Sequence, residues 1–538
     1  MPFSGLCALI GLLVLAGLGL YATSSSSRLP LPPGPQATWF GKVELPRFQP
    51  WRTYAQWKNL YGDLVYIRIF GNPVLVLNSA QAISDLLEKR SANYSSRPIR
   101  TMVVDLIGWD WLFSSMQYGK TWKRHRNLFL KYFPMNNNAE YHPVQTLEAH
   151  TLLRNLMESP ENFRGHARRA GAAVILSVTY GITVDEEVDS QGDNFVTLAD
   201  KALAGLARAG IFGTYMVDYI PILKHIPPWF PGAAFRRQAK KWRESTDEMV
   251  NRPFEVVKQR MVSASAARPA AGTASSCVVA GELENLAMGG RGESEKIIRN
   301  VAATCYAAGA DTVVSALSSL FLAIALNPEV QVKAQAQLDQ VLGGRLPALT
   351  DRAQLPYIVS IAWIYPSFVA EMFEGLHMLR GKLLRWNPVT PLGLAHYVSE
   401  EDEYRGYRIP KGTTVLPNVW GILHDPAEYP NPLSFDPDRY EDSEGNIRKG
   451  INNLPDAAFG FGRRMCPGRN FAFDFLWIAT ASILSVFTIS RAIDENGNDV
   501  KPEEKYTSNL LSHPGPFQCG IAPRSRDAIE LISQTQPL

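Results

Sequence analysis

The segment FGFGRRMCPG, residues 459–468, places a single cysteine in a glycine-rich loop. An apolar, helix-like run from Asn470 to Val486 follows it. A helix that begins there would direct the positive end of its dipole at the sulfur of Cys466. Gly462 and Gly468 would let backbone N–H groups approach the same sulfur. The segment therefore favours a cysteine thiolate.

Two interpretations of this cysteine are open. A buried, inert cysteine in a tight turn is the simpler one. The other is a ligand of haem iron. A thiolate in the axial position of a haem pushes electron density toward O–O cleavage. Arg464, two residues before the cysteine, suits an acidic group on a bound ligand better than it suits the sulfur.

The whole pattern Phe-x-x-Gly-x-Arg-x-Cys-x-Gly, at Phe459, Gly462, Arg464, Cys466 and Gly468, resembles the haem-binding loop of the cytochrome P450 (haem-thiolate monooxygenase) family. The resemblance implies haem b as the cofactor and Cys466 as the axial ligand of its iron. It also implies that Phe459 packs beside the sulfur and that Arg464 holds a haem propionate.

Composition indicates a globular protein with a large core, because 46% of the 538 residues are hydrophobic and 20% are charged. A formal net charge of +3 gives no reason to expect nucleic acid as a partner. The cysteines are scattered and form no CxxC pair, which argues against a disulfide framework or a zinc site and fits a reducing compartment. They are Cys7, Cys277, Cys305, Cys466 and Cys519.

The N-terminal run from Phe3 to Ala22 carries no charge and is long enough to cross a bilayer. A cleaved signal peptide is the alternative, but no Lys or Arg precedes the run. The first cation, Arg28, follows it, so the positive-inside rule predicts a cytosolic body. An anchor followed by a stiff proline-rich hinge resembles microsomal members of the family, and implies a single-pass protein of the endoplasmic reticulum membrane in contact with the lipid bilayer. The predicted parts are an anchor at 1–22, a Ser/Pro-rich hinge at 23–36 and a haem-thiolate catalytic domain at 37–538.

The hydrophobic pattern predicts a mainly α protein with small β-sheets. Alternation over residues 62–78 predicts a β-hairpin, and residues 393–416 predict short strands. Helical periodicity dominates residues 118–262 and 293–342, with a small-residue loop at 263–276 between them. The family resemblance implies the triangular cytochrome P450 prism, preceded by one N-terminal transmembrane helix.

A basic segment, WKRHR at residues 122–126, is predicted to lie on a helix from Lys120 to Tyr132. Trp122 and Arg126 are four residues apart and share a face. A solvated basic helix is one interpretation; the family resemblance implies instead that both residues contact a haem propionate. The remaining cations would then form a basic proximal face that docks an acidic flavoprotein reductase. They are Lys120, Lys123, Arg124 and Lys131.

The motif AAGADT, residues 307–312, interrupts a long apolar helix with an acid and an alcohol. Buried Asp311 and Thr312 are costly unless they have partners. A kinked helix, with Thr312 bonded back to a carbonyl, is one explanation. The resemblance implies that both residues relay protons to dioxygen and that Ala308 and Gly309 line the oxygen pocket.

Two further segments resemble family motifs. In RWNPVTPLGLAH, residues 385–396, His396 would be another propionate contact, although Ala395 stands where the family usually has proline. In FDPDRY, residues 435–440, Arg439 would join Arg385 in a buried ion network.

That network lacks the family's glutamate, because Lys382 stands three residues before Arg385. Burying three like charges without a carboxylate would cost a large part of a typical folding stability. The surrounding stretch, about 359–382, is also longer than the family requires. It is either a retained intron or a true insertion in which Glu371 or Glu374 replaces the missing acid.

The resemblance, which covers about residues 29–525, is to fungal membrane-bound members that act in secondary metabolism. It implies hydroxylation or epoxidation of an apolar small molecule with O2 and electrons that a reductase takes from NADPH. Two alternatives are a haem-thiolate isomerase or peroxygenase, and a haem-free, inactive membrane-anchored product of a mis-spliced gene. The predicted substrate-pocket walls are Val103 to Phe113, a helix at 205–216, Val389 and Leu510-Leu511.

Overall fold

Helices make up most of the computed structural model, as predicted, with three small β-sheets beside them. The structure describes residues 29–36, 45–46, 48–135, 138–184, 194–211, 213–266, 277–290, 292–362, 383–440 and 454–535.

The described residues form sixteen α-helices, numbered in chain order. They are α1 Pro50–Tyr61, α2 Ala80–Ile83, α3 Ser91–Tyr94, α4 Lys120–Tyr132, α5 His142–Glu158, α6 Phe163–Tyr180, α7 Phe195–Ala209, α8 Ala234–Ala266, α9 Val278–Ala287, α10 Glu295–Leu326, α11 Pro328–Leu342, α12 Pro356–Ala362, α13 Leu383–Trp386, α14 Val419–Leu423, α15 Arg469–Val486 and α16 Arg526–Ser533. The helix predicted from Lys120 to Tyr132 is confirmed as α4. Helix α8 continues to Ala266, so the first residues of the loop predicted at 263–276 are helical, and residues 267–276 lie outside the described residues.

The largest sheet has the strand order β1-β2-β6-β3, with β2 parallel to β6 and the other pairs antiparallel. The predicted hairpin is confirmed as β1 and β2. Its two-residue turn is Phe70-Gly71, and both residues have positive φ, which matches the twist of the flanking strands. The other sheets are β4-β5 and β8-β7-β9. The strands are β1 Leu64–Ile69, β2 Asn72–Leu77, β3 His396–Tyr397, β4 Asp402–Tyr404, β5 Tyr407–Ile409, β6 Thr414–Pro417, β7 Phe487–Ile493, β8 Asp499–Val500 and β9 Cys519–Pro523.

Helix α10 runs through the core and carries the AAGADT motif. In the described part of the chain it is the one helix long and apolar enough to cross a membrane, but 78% of its apolar window is buried inside the protein. It is therefore a core helix. The predicted anchor at residues 1–22 lies outside the described residues.

The last residues of the predicted hinge, 29–36, are extended and lie against the sheets. The Tyr66 N–H donates to the Pro33 carbonyl and the Arg408 N–H to the Pro30 carbonyl, both at 2.8 Å. Packing on the catalytic body therefore begins before residue 37.

The pocket helix predicted at 205–216 is wrong beyond residue 209, where α7 ends. The guanidinium of Arg100 donates to the carbonyls of Ala209, Gly210 and Ile211 at 2.8–3.2 Å. A cation that satisfies the last carbonyls of a helix stabilises its end. Because Arg100 already donates to these carbonyls, they need no N–H group from a further helical turn. The chain continues as an irregular segment.

Candidate functional site

The cysteine loop folds tightly in front of α15. The Cys466 N–H donates to the Phe459 carbonyl at 2.8 Å, and α15 begins at Arg469, directly after Gly468. Burial raises the pKa of the Cys466 thiol, while a hydrogen bond from the Gly468 backbone and the charges of Arg126 and Arg469 lower it. The thiol therefore lies at the start of a helix, as the sequence predicts, and the charges of Arg126 and Arg469 act on it as well.

Gly462 has a structural role in addition to the one that its sequence position suggests. A Cβ at this residue would lie 2.2 Å from the Leu87 carbonyl oxygen, and its φ is +52°. The sequence predicted that Gly462 brings an N–H group to the sulfur of Cys466. That role stays a prediction; the close approach to Leu87 shows that Gly462 also lets the loop pack against the π-helical turn Ser84–Lys89.

One buried cavity of about 340 Å³ brings most of the predicted site residues together. Its size falls in the range of small-molecule sites, and its walls are largely apolar. The predicted residues that line it are Trp122, Arg126, Ala308, Gly309, Asp311, Thr312, His396, Phe459, Arg464, Cys466 and Gly468.

The acid and the alcohol of α10 both have partners. The Thr312 hydroxyl donates to the Ala308 carbonyl at 2.7 Å, so the predicted bond back to a carbonyl is present. The Asp311 Oδ1 lies 3.3 Å from the Nε2 of His513, which belongs to a C-terminal loop. The cost of burying Asp311 is therefore offset by an ionisable partner that the sequence did not indicate.

The predicted propionate contacts form a cationic wall. Arg464 donates to the Ser95 and Met116 carbonyls at 2.6 Å, and its guanidinium lies 4.4 Å from the centre of the Trp122 ring. Arg126 donates to the Met465 carbonyl at 2.9 Å. Burial, reinforced by neighbouring arginines, lowers the pKa of Arg464 to about 8. The protein holds these cations with neutral carbonyl oxygens.

Arg97 is a fourth member of this wall that sequence reasoning missed. It lines the same cavity and donates to the carbonyls of Ser114, Leu394 and Ala395 at 2.8–2.9 Å. Burial lowers its pKa to about 9. His396 lies beside it, with Nδ1 2.7 Å from the Tyr94 carbonyl, and burial lowers the pKa of His396 well below its usual value. The available signal was the segment KRSANYSSRP, residues 89–98, which resembles the family and contains Arg97 but is not one of the family's catalytic motifs.

The charges around the cavity do not balance. Three guanidinium groups and one histidine line it, whereas Asp311 is the one acidic residue among the described residues that do so. Unpaired buried cations are costly, so such a wall fits a ligand that brings its own carboxylates. A haem with two propionates fits the cations, its apolar ring fits the walls, and the thiol of Cys466 suits its iron.

The sequence profile of the cytochrome P450 family matches residues 31–362 and 382–521. The chain belongs to the cytochrome P450 family. Family membership implies a haem iron cofactor, and the predicted oxidoreductase of the monooxygenase class is confirmed at that level.

Fungal monooxygenases are among the relatives of this cytochrome P450. A cytochrome P450 monooxygenase of Armillaria gallica is 39% identical over 515 residues, which cover 94% of each chain. Cytochrome P450 monooxygenase 98 of Postia placenta is also 39% identical, over 94% of this chain and 93% of its own. Tryptamine 4-monooxygenase of Psilocybe cyanescens is 37% identical, over 97% of this chain and 98% of its own. The resemblance to fungal members of secondary metabolism is confirmed, and the haem-free alternative is not favoured.

The family profile is interrupted at residues 363–381, inside the stretch that the sequence singles out at 359–382. Lys382, Glu371 and Glu374 lie outside the described residues. The two arginines of the predicted network come together on one loop, where Arg385 and Arg439 both donate to the Ser434 carbonyl, at 3.0 and 3.4 Å. Arg385, whose side chain is fully buried, also donates to the Pro432 carbonyl at 2.8 Å. Main-chain oxygens contact both arginines in the cytochrome P450 fold, and the Asp436 carboxylate also lies 3.9 Å from Arg439.

The predicted basic face on α4 is partly neutralised. Arg124 donates to Glu293 at 2.9 Å, and Lys131 pairs with the buried carboxylate of Glu282. Lys120 and Lys123, on the first turn of the helix, are exposed.

The predicted substrate walls meet around two adjoining cavities of the cytochrome P450. Val389, Leu510 and Leu511 line the 340 Å³ cavity, while Val103 lines a neighbouring one of about 970 Å³. Residues common to both cavities include Arg97, Leu112, Leu206 and Leu510.

Proposed function

We propose that this cytochrome P450 is a membrane-anchored haem-thiolate monooxygenase. It hydroxylates or epoxidises an apolar small molecule with O2 and with electrons that a flavoprotein reductase takes from NADPH. The observation that supports this function best is the 340 Å³ cavity, which brings Cys466, the cationic wall and Asp311-Thr312 together.

The residues of the cavity have separate tasks. Cys466 holds the iron, while Trp122, Arg126, Arg464, His396 and the newly identified Arg97 hold the propionates. Haem, when bound, supplies the reductive activation of O2. Asp311 and Thr312 hold a proton where α10 lines the cavity, and Ala308 and Gly309 leave room beside them. Phe459 packs edge-on against Phe473, 4.6 Å away, and shields the sulfur from water.

An apolar substrate suits the walls of both cavities. The 970 Å³ cavity extends the space along Val103 and Leu206, and the relative named for tryptamine supports a small molecule as the substrate. Intact Asp311-Thr312 argues against a haem-thiolate isomerase or peroxygenase, because neither needs protons delivered to dioxygen.

Carbon monoxide binding tests the haem-thiolate assignment. The reduced, carbon-monoxide-bound full chain should show the red-shifted Soret band of a thiolate ligand, and Cys466→Ala should abolish it. Cys519→Ala removes a half-buried cysteine on β9 and should leave the band unchanged. A chain that keeps the band after Cys466→Ala would refute the assignment.

The membrane and reductase assignments are tested separately. We expect the full chain to stay in the membrane pellet after alkaline carbonate extraction and a chain that begins at residue 29 to be released, because residues 1–22 form the anchor and 23–36 the hinge. Lys120→Glu combined with Lys123→Glu should raise the KM for the reductase. Lys241→Glu, an exposed lysine on α8, is the matched control.

Residues 359–382 are proposed to be an addition to the family's catalytic domain. Two origins stay open: a retained intron, and an insertion that supplies Glu371 or Glu374 to the arginine network. Transcript sequencing across residues 355–390 separates them, since a mature transcript that encodes this chain would contradict the intron.

A further inference from the structure

The C-terminal loop that carries His513 is built to hold this residue still. Its ends are joined by a bridge between Tyr506 and Pro514. Within the loop, the Thr507 N–H donates to the His513 carbonyl at 2.8 Å, and the His513 N–H donates to the Thr507 hydroxyl at 3.0 Å. The backbone of His513 is therefore fixed through both of its polar groups.

Helix α10 holds the same loop at two points one turn apart. The Ser315 hydroxyl donates to the Ser512 carbonyl at 2.6 Å, and both groups are buried. Asp311, four residues earlier on the same face, lies 3.3 Å from the His513 imidazole. The Ser315–Ser512 hydrogen bond therefore fixes how the loop lies along α10, and this places His513 beside Asp311.

Asp200, which belongs to a second charged pair, interacts electrostatically with both Asp311 and His513. Arg168 of α6 pairs with Asp200 of α7 at 2.8 Å. Burial and the charge of Asp311 raise the pKa of Asp200. The charges of Arg168 and His513 lower the pKa of Asp200. The exposed fraction of the side chains rises from 14% at Asp311 through 22% at His513 to 41% at Asp200.

We propose that His513 is a positioning residue that returns a proton to Asp311 after each turnover. Asp311 gives its proton into the cavity and becomes a carboxylate. Protonated His513 passes the Nε2 proton to that carboxylate, and the neutral imidazole takes a proton from water at the Asp200 side. This inference rests on the proposed monooxygenase function.

Dioxygen and NADPH serve as the probes, because no organic substrate is needed. Uncoupled turnover converts one NADPH, one proton and O2 to hydrogen peroxide, or two NADPH, two protons and O2 to two waters. We expect Asp311→Asn to lower NADPH oxidation by the haem-loaded full chain with reductase about 100-fold, as for a lost proton donor. His513→Gln should lower it about tenfold, and the double variant should be no slower than Asp311→Asn, since both act on one path.

The pH profile separates proton return from a structural role. A histidine side chain can exchange a proton with water and a glutamine side chain cannot, so the wild-type rate should depend on pH and the His513→Gln rate should not. His513→Arg keeps the charge but does not exchange its proton, so it should also be slow and flat with pH. His225→Gln, at an exposed histidine, should behave like the wild type.

The outcomes distinguish this inference from the proposed function. A wild-type chain without the thiolate Soret band contradicts the proposed function itself. With that band present in every variant, a wild-type rate and pH profile in either His513→Gln or His513→Arg overturns proton return by His513. Additive losses in the double variant overturn it as well.

Discussion

At the residue scale, Gly460 and Gly462 separate two reasons for a glycine in a loop, which are a positive φ and a lack of room for a Cβ. Gly460 and Gly462 both have positive φ, but a Cβ at Gly460 meets nothing closer than 3.7 Å, whereas one at Gly462 would overlap the Leu87 carbonyl. We expect Gly460→Ala to cost about 1 kcal/mol of unfolding free energy from backbone strain. Gly462→Ala should cost roughly 3 kcal/mol or more and lower haem content, because the loop must also move.

Thermal unfolding and the haem-to-protein ratio of the two glycine variants provide the measurement. Equal losses at both positions would show that φ alone matters and that the contact with Leu87 is dispensable.

His424 predicts a dependence of stability on pH. Burial, with the nearby charge of Arg385, lowers the pKa of His424 from 6.5 to about 3. The unfolded chain therefore binds the extra proton below pH 6.5 while the folded protein does not, so stability falls as pH drops from 6.5 toward 3. Between pH 7 and pH 5 the loss from this one group is about 2 kcal/mol.

Replacement by phenylalanine tests this directly. His424 stacks on Trp420 with ring centres 4.2 Å apart, so His424→Phe keeps a ring but cannot be protonated. We expect the urea midpoint of this variant to fall less between pH 7 and pH 5 than that of the wild type. His225→Gln should keep the full acid sensitivity, and an equal fall in all three chains would contradict the assignment to His424.

Residues that carry chemistry within a contiguous motif could be predicted from the sequence, and those recruited from elsewhere could not. Cys466 and Asp311 stand in segments whose spacing is itself informative. Arg97 lines the cavity and His513 contacts Asp311 through the fold, and neither residue stands in one of the motifs that carry the chemistry. Gly462 was predicted from its motif, but its packing against Leu87 was not, because Leu87 comes from a distant part of the chain.

At the scale of elements, the crossing of α6 and α10 depends on small residues. A Cβ at Gly309 would lie 3.0–3.2 Å from three atoms of the Ile175 side chain. Gly309→Ala should therefore push the helices apart and cost about 1–3 kcal/mol. Ile175→Ala leaves a cavity on its own, but it should relieve part of the overlap in the double variant, so the two losses should not add.

A double-mutant cycle of urea unfolding free energies measures this coupling. Additivity within about 0.5 kcal/mol would mean that the two helices do not press on each other at this point.

Periodicity predicted helices α4, α10 and α15 because each carries its own apolar pattern. It failed at the end of α7, where Arg100 satisfies the final carbonyls from a distant segment. A helix end of this kind depends on tertiary structure, so a local pattern cannot place it.

At the scale of the whole molecule, the largest sheet pairs strands that are far apart in the sequence. Strand β2 lies between β1 and β6, so the N-terminal hairpin depends on residues near position 414. The hydrophobic pattern predicted small sheets but not this register, because parallel pairing across such a separation has no local signature.

The boundary of the catalytic body follows from the same architecture. Deleting residues 1–28 leaves the contacts of Pro30 and Pro33 intact, whereas deleting residues 1–36 leaves the N–H groups of Tyr66 and Arg408 without their acceptors. Each lost acceptor costs about 1 kcal/mol where water cannot replace it. We therefore expect the chain that begins at residue 37 to lose roughly 1–3 kcal/mol of unfolding free energy, seen as a lower urea midpoint, and to retain less haem. The chain that begins at residue 29 should match the full protein in both measurements. Equal midpoints for the two truncated chains would place the start of the folded body after residue 36.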